Sequence, residues 1–143
     1  MQTCYLAVDI GASSGRHILG HMENGKMVLE EIYRFENGMV KKDGELCWEF
    51  DRLFQEIKNG LKKCKEIGKI PVSMGVDTWG VDFVLMDKDD KVLGNTVGYR
   101  DHRNEGMDEE VYKTISLEDL YARTGIQKAI FNTVYQLMAV KTK

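Results

Sequence analysis

The sequence predicts an α/β fold, with a mixed sheet and flanking helices. Near the N-terminus, alternating apolar residues and turn signals indicate three consecutive strands. From Asp51 the hydrophobic period changes to that of a helix, and a further short apolar strand follows this helix. A helix that connects two strands of one sheet is typical of the α/β class.

The first three strands follow one another directly. The first covers residues 5–10, and a run of small residues separates it from the second, residues 17–22. Asn24-Gly25 then leads to the third strand, residues 27–35. Because Asn-Gly between apolar strands is a strong hairpin signal, we expect the second and third strands to pair.

A helix is expected next, with Asp51 as its N-cap and Gly68 at its end. Its apolar residues recur at helical spacing: Phe54, Ile57, Leu61 and Cys64. Residues 72–77 then indicate a strand buried between layers. The end of this strand delivers residues 78–80 to the sheet edge that also carries Asp9, where ligands of open α/β sheets collect.

The C-terminal part of the chain is expected to be helical. Ser116 and Asp119 have the spacing of a capping box, and Gly125 is placed to end that helix. A last helical stripe then contains Val134, Leu137, Met138 and Lys141. No cap or turn signal follows it before Lys143, so we expect the chain to be cut within a helix and the domain to be incomplete.

Composition limits the classes of protein. The chain has 143 residues, 43% of them hydrophobic and 30% charged, with a formal charge of −3. Its basic residues are scattered and its apolar runs are short, so neither nucleic-acid binding nor membrane insertion is expected. Cys4, Cys47 and Cys64 lie in apolar patterns without CxxC spacing. They indicate reduced, buried thiols and a cytoplasmic protein.

The loop after the first strand is the main candidate site. Asp9 is followed by small residues that let backbone N–H groups approach phosphate oxygens: Gly11, Ala12, Ser13, Ser14 and Gly15. The loop lacks the Lys-Ser/Thr of a Walker A motif and the glycine spacing of a dinucleotide turn. It indicates a magnesium-bound nucleotide triphosphate, although a surface turn that satisfies only its own backbone remains the alternative.

Five strings carry a resemblance to a known family: AVDIGASSGR from Ala7, MGVDTWGVDFVLMD from Met74, VGYRDHR from Val97, TGIQ from Thr124 and FNTVYQL from Phe131. Together they resemble the rhamnulokinase branch of the FGGY carbohydrate kinase family. The resemblance runs from about Cys4 to the last residue. It implies a ribonuclease H-like domain of the actin-like ATPase and sugar kinase type. One departure is Tyr99, where many sugar kinases of the family have Trp in a W-x-D-x-R string.

The resemblance also implies roles for individual residues. Asp9 would lie near Mg²⁺, acting through its waters, and the hairpin from Gly11 to Arg16 would bind ATP. The sugar would be bound by Trp79, Gly80, Asp82, Asp101 and Arg103. Trp48 either stacks on the sugar or anchors its loop to the core, and anchoring is the commoner role of a large aromatic side chain.

The family comparison further implies an activity and a domain order. Residues 1–143 would form the N-terminal part of the first, sugar-binding domain, and the second, adenine-binding domain would be absent. The intact enzyme would transfer a phosphoryl group from ATP to L-rhamnulose, giving L-rhamnulose 1-phosphate in L-rhamnose catabolism. The catalytic base would lie downstream, so no catalytic residue is assigned here and the chain alone is expected to be inactive.

Two alternatives from other functional classes remain at this point. A nucleotide-switch module of the actin-like superfamily would share the phosphate hairpin but would not need the GVDTWGVDF string. A non-catalytic nucleotide- or sugar-binding module would bind a ligand without turnover.

Overall fold

A computed structural model describes residues 3–142, and the chain falls into two compact units. The first unit runs up to Gly38 and resumes over Glu49–Gly80. The second consists of Met39–Trp48 and the chain from Val81 onward. The predicted α/β class, with a mixed sheet and flanking helices, is confirmed.

The first unit is built on a four-stranded sheet with the order β3-β2-β1-β6. Its strands are β1 (Tyr5–Ile10), β2 (Ser14–Glu23), β3 (Lys26–Glu36) and β6 (Ser73–Thr78). β1 pairs antiparallel with β2, and β2 pairs antiparallel with β3. β6 pairs in parallel with β1, which makes the sheet mixed. The predicted hairpin turn is confirmed, because Asn24 and Gly25 both have positive φ.

Alternation along β1 positions the core of the first unit. Leu6, Val8 and Ile10 are buried, whereas Tyr5 and Ala7 are exposed and Asp9 is intermediate. The buried side chains pack with residues of β2, β3 and the helix α1 (Phe50–Glu66). The core cluster consists of Cys4, Leu6, Val8, Ile10, Leu19, Phe35 and Cys64. Asp9 therefore stands on the sheet face opposite this core.

The predicted helix is present, but its N-cap is not Asp51. Glu49 occupies the N-cap position, its carbonyl accepts the N–H of Leu53 at 3.0 Å, and its side chain makes no capping hydrogen bond. Asp51 lies in the first turn, where its negative charge interacts favourably with the positive end of the helix dipole. Gly68, with φ of 70°, follows the end of the helix as predicted.

β6 forms where the sequence predicts a strand, but the expectation that it is buried between layers is wrong. All six of its residues are exposed, including Met74 and Val76 at 45% and 51%. β6 is the edge of the sheet, and among residues 3–142 no strand pairs with its outer side. The apolar pattern signals a strand that can be covered, but burial depends on an element beyond its own sequence.

The second unit contains a two-stranded sheet and short helices. β4 (Met39–Lys42) and β5 (Glu45–Trp48) pair antiparallel. A 3₁₀ helix covers His102–Asn104, and α2 (Met107–Tyr112) packs against α4 (Thr133–Thr142). The hydroxyl groups of Tyr112 and Tyr135 lie 2.9 Å apart.

Two helix predictions in this unit have different outcomes. In α3 (Leu117–Thr124) the Ser116 N-cap is confirmed, because its hydroxyl accepts the N–H of Asp119 at 3.1 Å, but the reciprocal bond that would complete a capping box is not assigned among the described residues. In α4 the predicted apolar stripe is not the buried face. Val134 and Leu137 are exposed, whereas Tyr135, Gln136 and Ala139 are buried.

The three cysteines are free and buried, as predicted. Among the described residues, no helix has the length and apolar character needed to cross a membrane.

Candidate functional site

The first candidate site lies at the end of β1 in the first unit. The loop between β1 and β2 is closed by a hydrogen bond from the Gly11 N–H to the Ser14 carbonyl at 2.9 Å. Within residues 3–142, no acceptor is assigned to the N–H groups of Ala12 and Ser13. These two adjacent N–H groups are at the tip of a tight turn, so they are available to an anion.

Asn37 supports this loop from the end of β3. Its side-chain amide donates to the Gly11 carbonyl at 2.9 Å, and its backbone N–H donates to the Ser13 carbonyl at 2.9 Å. Its side-chain oxygen accepts the N–H of Gly38 at 2.9 Å. One residue therefore satisfies two carbonyl groups of the turn and fixes the shape of the loop.

Gly15 is required by packing as well as by the loop. A Cβ at this position would lie 2.1 Å from the ring of Phe35, which is buried in the core. The ring occupies the space that any other side chain would need. The Phe35 ring, which belongs to the core, therefore packs directly against Gly15, and Asp9 lies on the opposite face of the sheet.

Asp9 has two charged neighbours in the sheet. Asp77 is its register partner on the parallel strand β6, and Arg16 is its partner on β2. Register partners share one face of a sheet, so the two carboxylates and the guanidinium lie side by side. Asp77 is exposed and Asp9 is partly exposed, so the group is open to solvent.

Arg16 and Asp9 form an ion pair with 3.1 Å between Nε and Oδ2. The angle is not that of a hydrogen bond, and Nε of Arg16 is buried without a hydrogen-bond acceptor among the described residues. Both side chains are more than 40% exposed, so the pair contributes little to stability. Its unused donor leaves Arg16 able to bind a stronger anionic partner.

The carboxylates of Asp9 and Asp77 fit a magnesium ion that is held mainly by phosphates and water. Mg²⁺ commonly takes one or two protein carboxylates and keeps several waters. Within the described residues there is no group of three or more His, Cys, Asp or Glu side chains placed to hold a metal. The donor set therefore fits a metal brought with a nucleotide and does not fit a fully protein-bound ion.

The second candidate site is a polar cluster in the second unit, centred on Asp82. One carboxylate oxygen of Asp82 accepts the Trp48 ring N–H at 2.6 Å, and the other accepts the Gln136 amide at 3.2 Å. Trp48 is only 6% exposed, as expected for an aromatic side chain that anchors its loop. The cluster joins β5 to α4 through the carboxylate.

Aromatic rings extend this cluster. The Tyr99 ring lies 6.5 Å from Trp48 and 5.7 Å from Phe131, the second pair edge to face. Gly98 is required beside them, since a Cβ there would lie 3.0 Å from the Trp48 ring nitrogen and closer still to Met39. Asp82 and Tyr99 are half-buried and Phe131 is exposed, so the open side of the cluster offers a carboxylate and aromatic rings, groups that can bind a polyol.

Asp101 is buried and organises the loop before α2. Its carboxylate accepts N–H groups from Leu46 at 2.6 Å and from Arg103 at 2.8 Å. Burial acts to raise the pKa of Asp101, but these two hydrogen bonds and the nearby positive charges outweigh it, so the pKa lies below its usual value. Arg103 is half-buried, and its Nε has no hydrogen-bond partner among the described residues.

Trp79 and Gly80 end the first unit just after β6. Trp79 is half-buried and packs against the core of that unit. Gly80 is exposed, and a Cβ built on it would meet nothing within 4 Å. Among the described residues, packing does not require glycine here.

The structure thus brings the predicted nucleotide-binding residues together in the first unit: Asp9, Gly11, Ala12, Ser13, Ser14, Gly15 and Arg16. Asp82, Asp101 and Arg103 belong to the second unit. Asn37, Asp77 and Gln136 carry no distinct site signal in the sequence. Asn37-Gly38 is only a turn signal, and Gln136 is only part of the FNTVYQL string.

Known proteins match this chain over almost its whole length. Residues 4–143 match the FGGY family of carbohydrate kinases, N-terminal domain. The chain is 54% identical to the rhamnulokinase of Oceanobacillus iheyensis over 141 residues, which are 99% of this chain and 30% of the relative. It is 59% identical to the rhamnulokinase of Halalkalibacterium halodurans over 136 residues, 95% of this chain and 29% of the relative.

Solved structures share the fold at much lower identity. The gluconate kinase from Lactobacillus acidophilus superposes with a TM-score of 0.81 at 16% identity, over 100% of this chain and 29% of that chain. The Plasmodium falciparum glycerol kinase with ADP superposes with a TM-score of 0.71 at 16% identity, over 95% of this chain and 28% of that chain.

The chain spans about 30% of the length of the curated relatives it matches. Because the family model covers residues 4–143, the chain belongs to the FGGY family of carbohydrate kinases and matches its N-terminal domain.

Proposed function

We propose that this chain is the N-terminal portion of an ATP-dependent sugar kinase that converts L-rhamnulose to L-rhamnulose 1-phosphate. One observation carries the nucleotide half of the proposal: the open N–H groups of Ala12 and Ser13 directly follow the strand that presents Asp9. The sugar half is supported by the names of the relatives above, both of which are rhamnulokinases.

The hairpin residues bind and orient the phosphates in this proposal. The N–H groups of Ala12 and Ser13 donate to phosphate oxygens, and Asn37 keeps the loop closed around them. Arg16 exchanges its poorly aligned contact with Asp9 for a phosphate, which accepts from a guanidinium with better geometry. Mg²⁺, held near Asp9 and Asp77, would supply charge neutralisation of the phosphates.

The sugar is bound by Trp79, Gly80, Asp82, Asp101 and Arg103 in this proposal. The open space beside Gly80 allows a ligand to approach its backbone closely. The unpaired Nε of Arg103 is a donor for a sugar oxygen. Asp101 also holds Arg103 in place by accepting its backbone N–H.

Transfer joins the sugar hydroxyl oxygen to the γ-phosphorus and breaks the bond to the bridging oxygen of ADP, while the hydroxyl proton leaves to a base. Asp82 and Asp101 are poorly suited to take that proton. The Asp82 carboxylate is engaged by Trp48 and Gln136, and the pKa of Asp101 is lowered. The proposal therefore assigns the base to a residue beyond Lys143, together with the adenine-binding domain.

A cytosolic location is part of the proposal. The substrate ATP is abundant there, and the three cysteines are free thiols, as is usual in a reducing compartment.

The test is L-rhamnulose-dependent ADP formation with Mg²⁺ and ATP, measured for the full-length polypeptide and for residues 1–143 alone. Reactions without ketose and without metal remove background hydrolysis. Turnover by the full-length protein only is expected. Turnover by residues 1–143 would place the base in this chain, and nucleotide or sugar binding without any turnover in either protein would favour a non-catalytic binding module.

A further inference from the structure

Gln136 is fully buried on α4 and lies against the backbone turn at Val81 and Asp82. Its amide nitrogen has three acceptors within hydrogen-bonding distance. They are the Phe131 carbonyl at 2.9 Å, the Val81 carbonyl at 3.1 Å and the Asp82 carboxylate at 3.2 Å. Burial is complete, with 0% of the residue exposed.

These acceptors determine which way the amide points. The reversed orientation would set the amide oxygen against two carbonyl groups and a carboxylate, all of which are acceptors only. The observed orientation leaves the amide oxygen buried and without a donor among the described residues. A buried oxygen without a hydrogen-bond donor costs folding free energy. The contribution of Gln136 therefore comes from the hydrogen bonds that its amide nitrogen donates.

The donor side holds a strained turn. Val81 has φ of 69°, a left-handed conformation that is an outlier for a β-branched residue. Its carbonyl accepts the Gln136 amide and also the Thr133 hydroxyl, at 2.7 Å. Such strain persists only where the surroundings hold it, and here two residues at the start of α4 do so.

The same amide connects the turn to the aromatic cluster. Asp82 bonds Gln136 with one carboxylate oxygen and the Trp48 ring with the other. We propose that Gln136 is a positioning residue of the sugar site, fixing the Val81 turn and the Asp82 carboxylate against Trp48 so that the ketose meets a preformed surface. This inference rests on the proposed ketose kinase function.

The test uses the full-length protein with Gln136→Glu, which replaces a donor by an acceptor without changing the size of the side chain. Ketose KM should rise roughly tenfold or more, because the turn loses its donor and Asp82 meets a like charge. The KM for ATP and kcat should stay within roughly twofold of wild type, since the nucleotide loop is untouched. Gln55→Glu makes the same change on the exposed face of α1 and should alter neither constant.

Thr133→Val provides an independent variant, because it removes one bond to the Val81 carbonyl and adds no charge. It should raise ketose KM by a smaller factor, whereas Thr124→Val, at an exposed hydroxyl, should not. If Gln136→Glu does not fold, the ketose KM of Thr133→Val tests the inference in its place. Thermal unfolding of each variant is measured alongside.

An unchanged ketose KM in folded Gln136→Glu or Thr133→Val would overturn the inference. So would a loss spread equally over kcat and both KM values together with a lowered unfolding temperature, because that pattern indicates a purely structural role. Failure of the wild-type protein to form ADP with any ketose is a separate result. It would remove the proposed function, and the inference with it, before a variant is measured.

Discussion

Asp9 and Asp77 are register partners on the neighbouring parallel strands β1 and β6. Both stand on the sheet face opposite the core, and Arg16 stands beside Asp9 on the other side. A carboxylate on each of two adjacent strands places a second oxygen donor beside the loop, which the loop sequence alone does not contain. In the proposed function, both carboxylates would lie near one Mg²⁺ that is held mainly by phosphates and water.

Substitution of these aspartates should affect metal use more than sugar binding. In the full-length protein, Asp9→Asn should lower kcat roughly 100-fold or more, with ketose affinity retained, because it removes charge beside the phosphates. Asp77→Asn should raise the Mg²⁺ concentration needed for half-maximal activity. Titration of Mg²⁺ at saturating ATP and ketose measures this. Asp87→Asn, in a surface turn, is the control. A loss of ketose affinity in Asp9→Asn would argue against the metal role.

Asn37 should be as important to nucleotide binding as the loop it supports. Asn37→Ala removes the side-chain donor to the Gly11 carbonyl and the acceptor for the Gly38 N–H. The KM for ATP should rise several-fold, at roughly the cost of one or two hydrogen bonds, while the ketose KM stays unchanged. Asn59→Ala, which removes a side-chain amide on α1, should leave both constants unchanged. Equal effects of the two substitutions would contradict the role given to Asn37.

Local signals predicted much of this structure. The Asn24-Gly25 hairpin, the N-cap at Ser116 and the end of α1 at Gly68 depend on residues close in sequence, and all three are confirmed. The position of Asp9 at the end of β1 follows from the same kind of signal. Where the turn chemistry and the hydrophobic period are contained in a short segment, the sequence is sufficient.

Contacts between distant residues could not be predicted in this way. Asn37 bonds Gly11 across 26 residues, and Gln136 bonds Asp82 across 54. The polar side chains concerned carry no periodic signal, and their partners are set by how the elements pack. The exposure of β6 is a similar case, since its apolar pattern does not specify which element lies over it.

Substitution of Gly80 should change ketose binding without changing the stability of the fold. A Cβ at this position meets nothing within 4 Å, so Gly80→Ala should leave the unfolding temperature unchanged. If the ketose approaches the backbone here, its KM should nevertheless rise, because the added methyl group enters the space of the ligand. Gly75→Ala, also without a neighbour within 4 Å, is the matched control. Identical ketose KM values in both variants would exclude a close approach at Gly80.

Gly15 should behave in the opposite way. A Cβ there would lie 2.1 Å from the Phe35 ring, so Gly15→Ala forces the core to rearrange. We expect the free energy of unfolding to fall by about 1–3 kcal/mol, the usual cost of overpacking. Urea denaturation measures it, with Gly38→Ala, where a Cβ meets nothing within 4 Å, as the control. Adding Phe35→Leu to Gly15→Ala should recover part of the loss; an additive loss would contradict the assigned clash.

His17 should make the stability of the first unit depend on pH. Burial lowers the pKa of His17, an effect that the nearby Ile57 backbone and the Glu56 charge only partly oppose. The ring lies edge to face with Tyr33, and neither ring nitrogen has a hydrogen-bond partner among the described residues. At a pH between the folded and the unfolded pKa of His17, the folded protein therefore keeps this histidine neutral, whereas the unfolded chain protonates it.

The sign of the effect follows from proton binding. Above the unfolded pKa, about 6.5, both states carry neutral histidine and the stability contribution is complete. As the pH falls through that value the unfolded state binds a proton first, so the free energy of unfolding should decrease by up to about 1.4 kcal/mol per pH unit. Urea denaturation at pH 7.5, 6.5 and 5.5, values chosen around that pKa, measures the slope. His17→Leu should remove the slope of stability against pH. His102→Gln, at a side chain that is 74% exposed, is the control and should retain the slope. A slope that survives in His17→Leu would assign the pH dependence to another group.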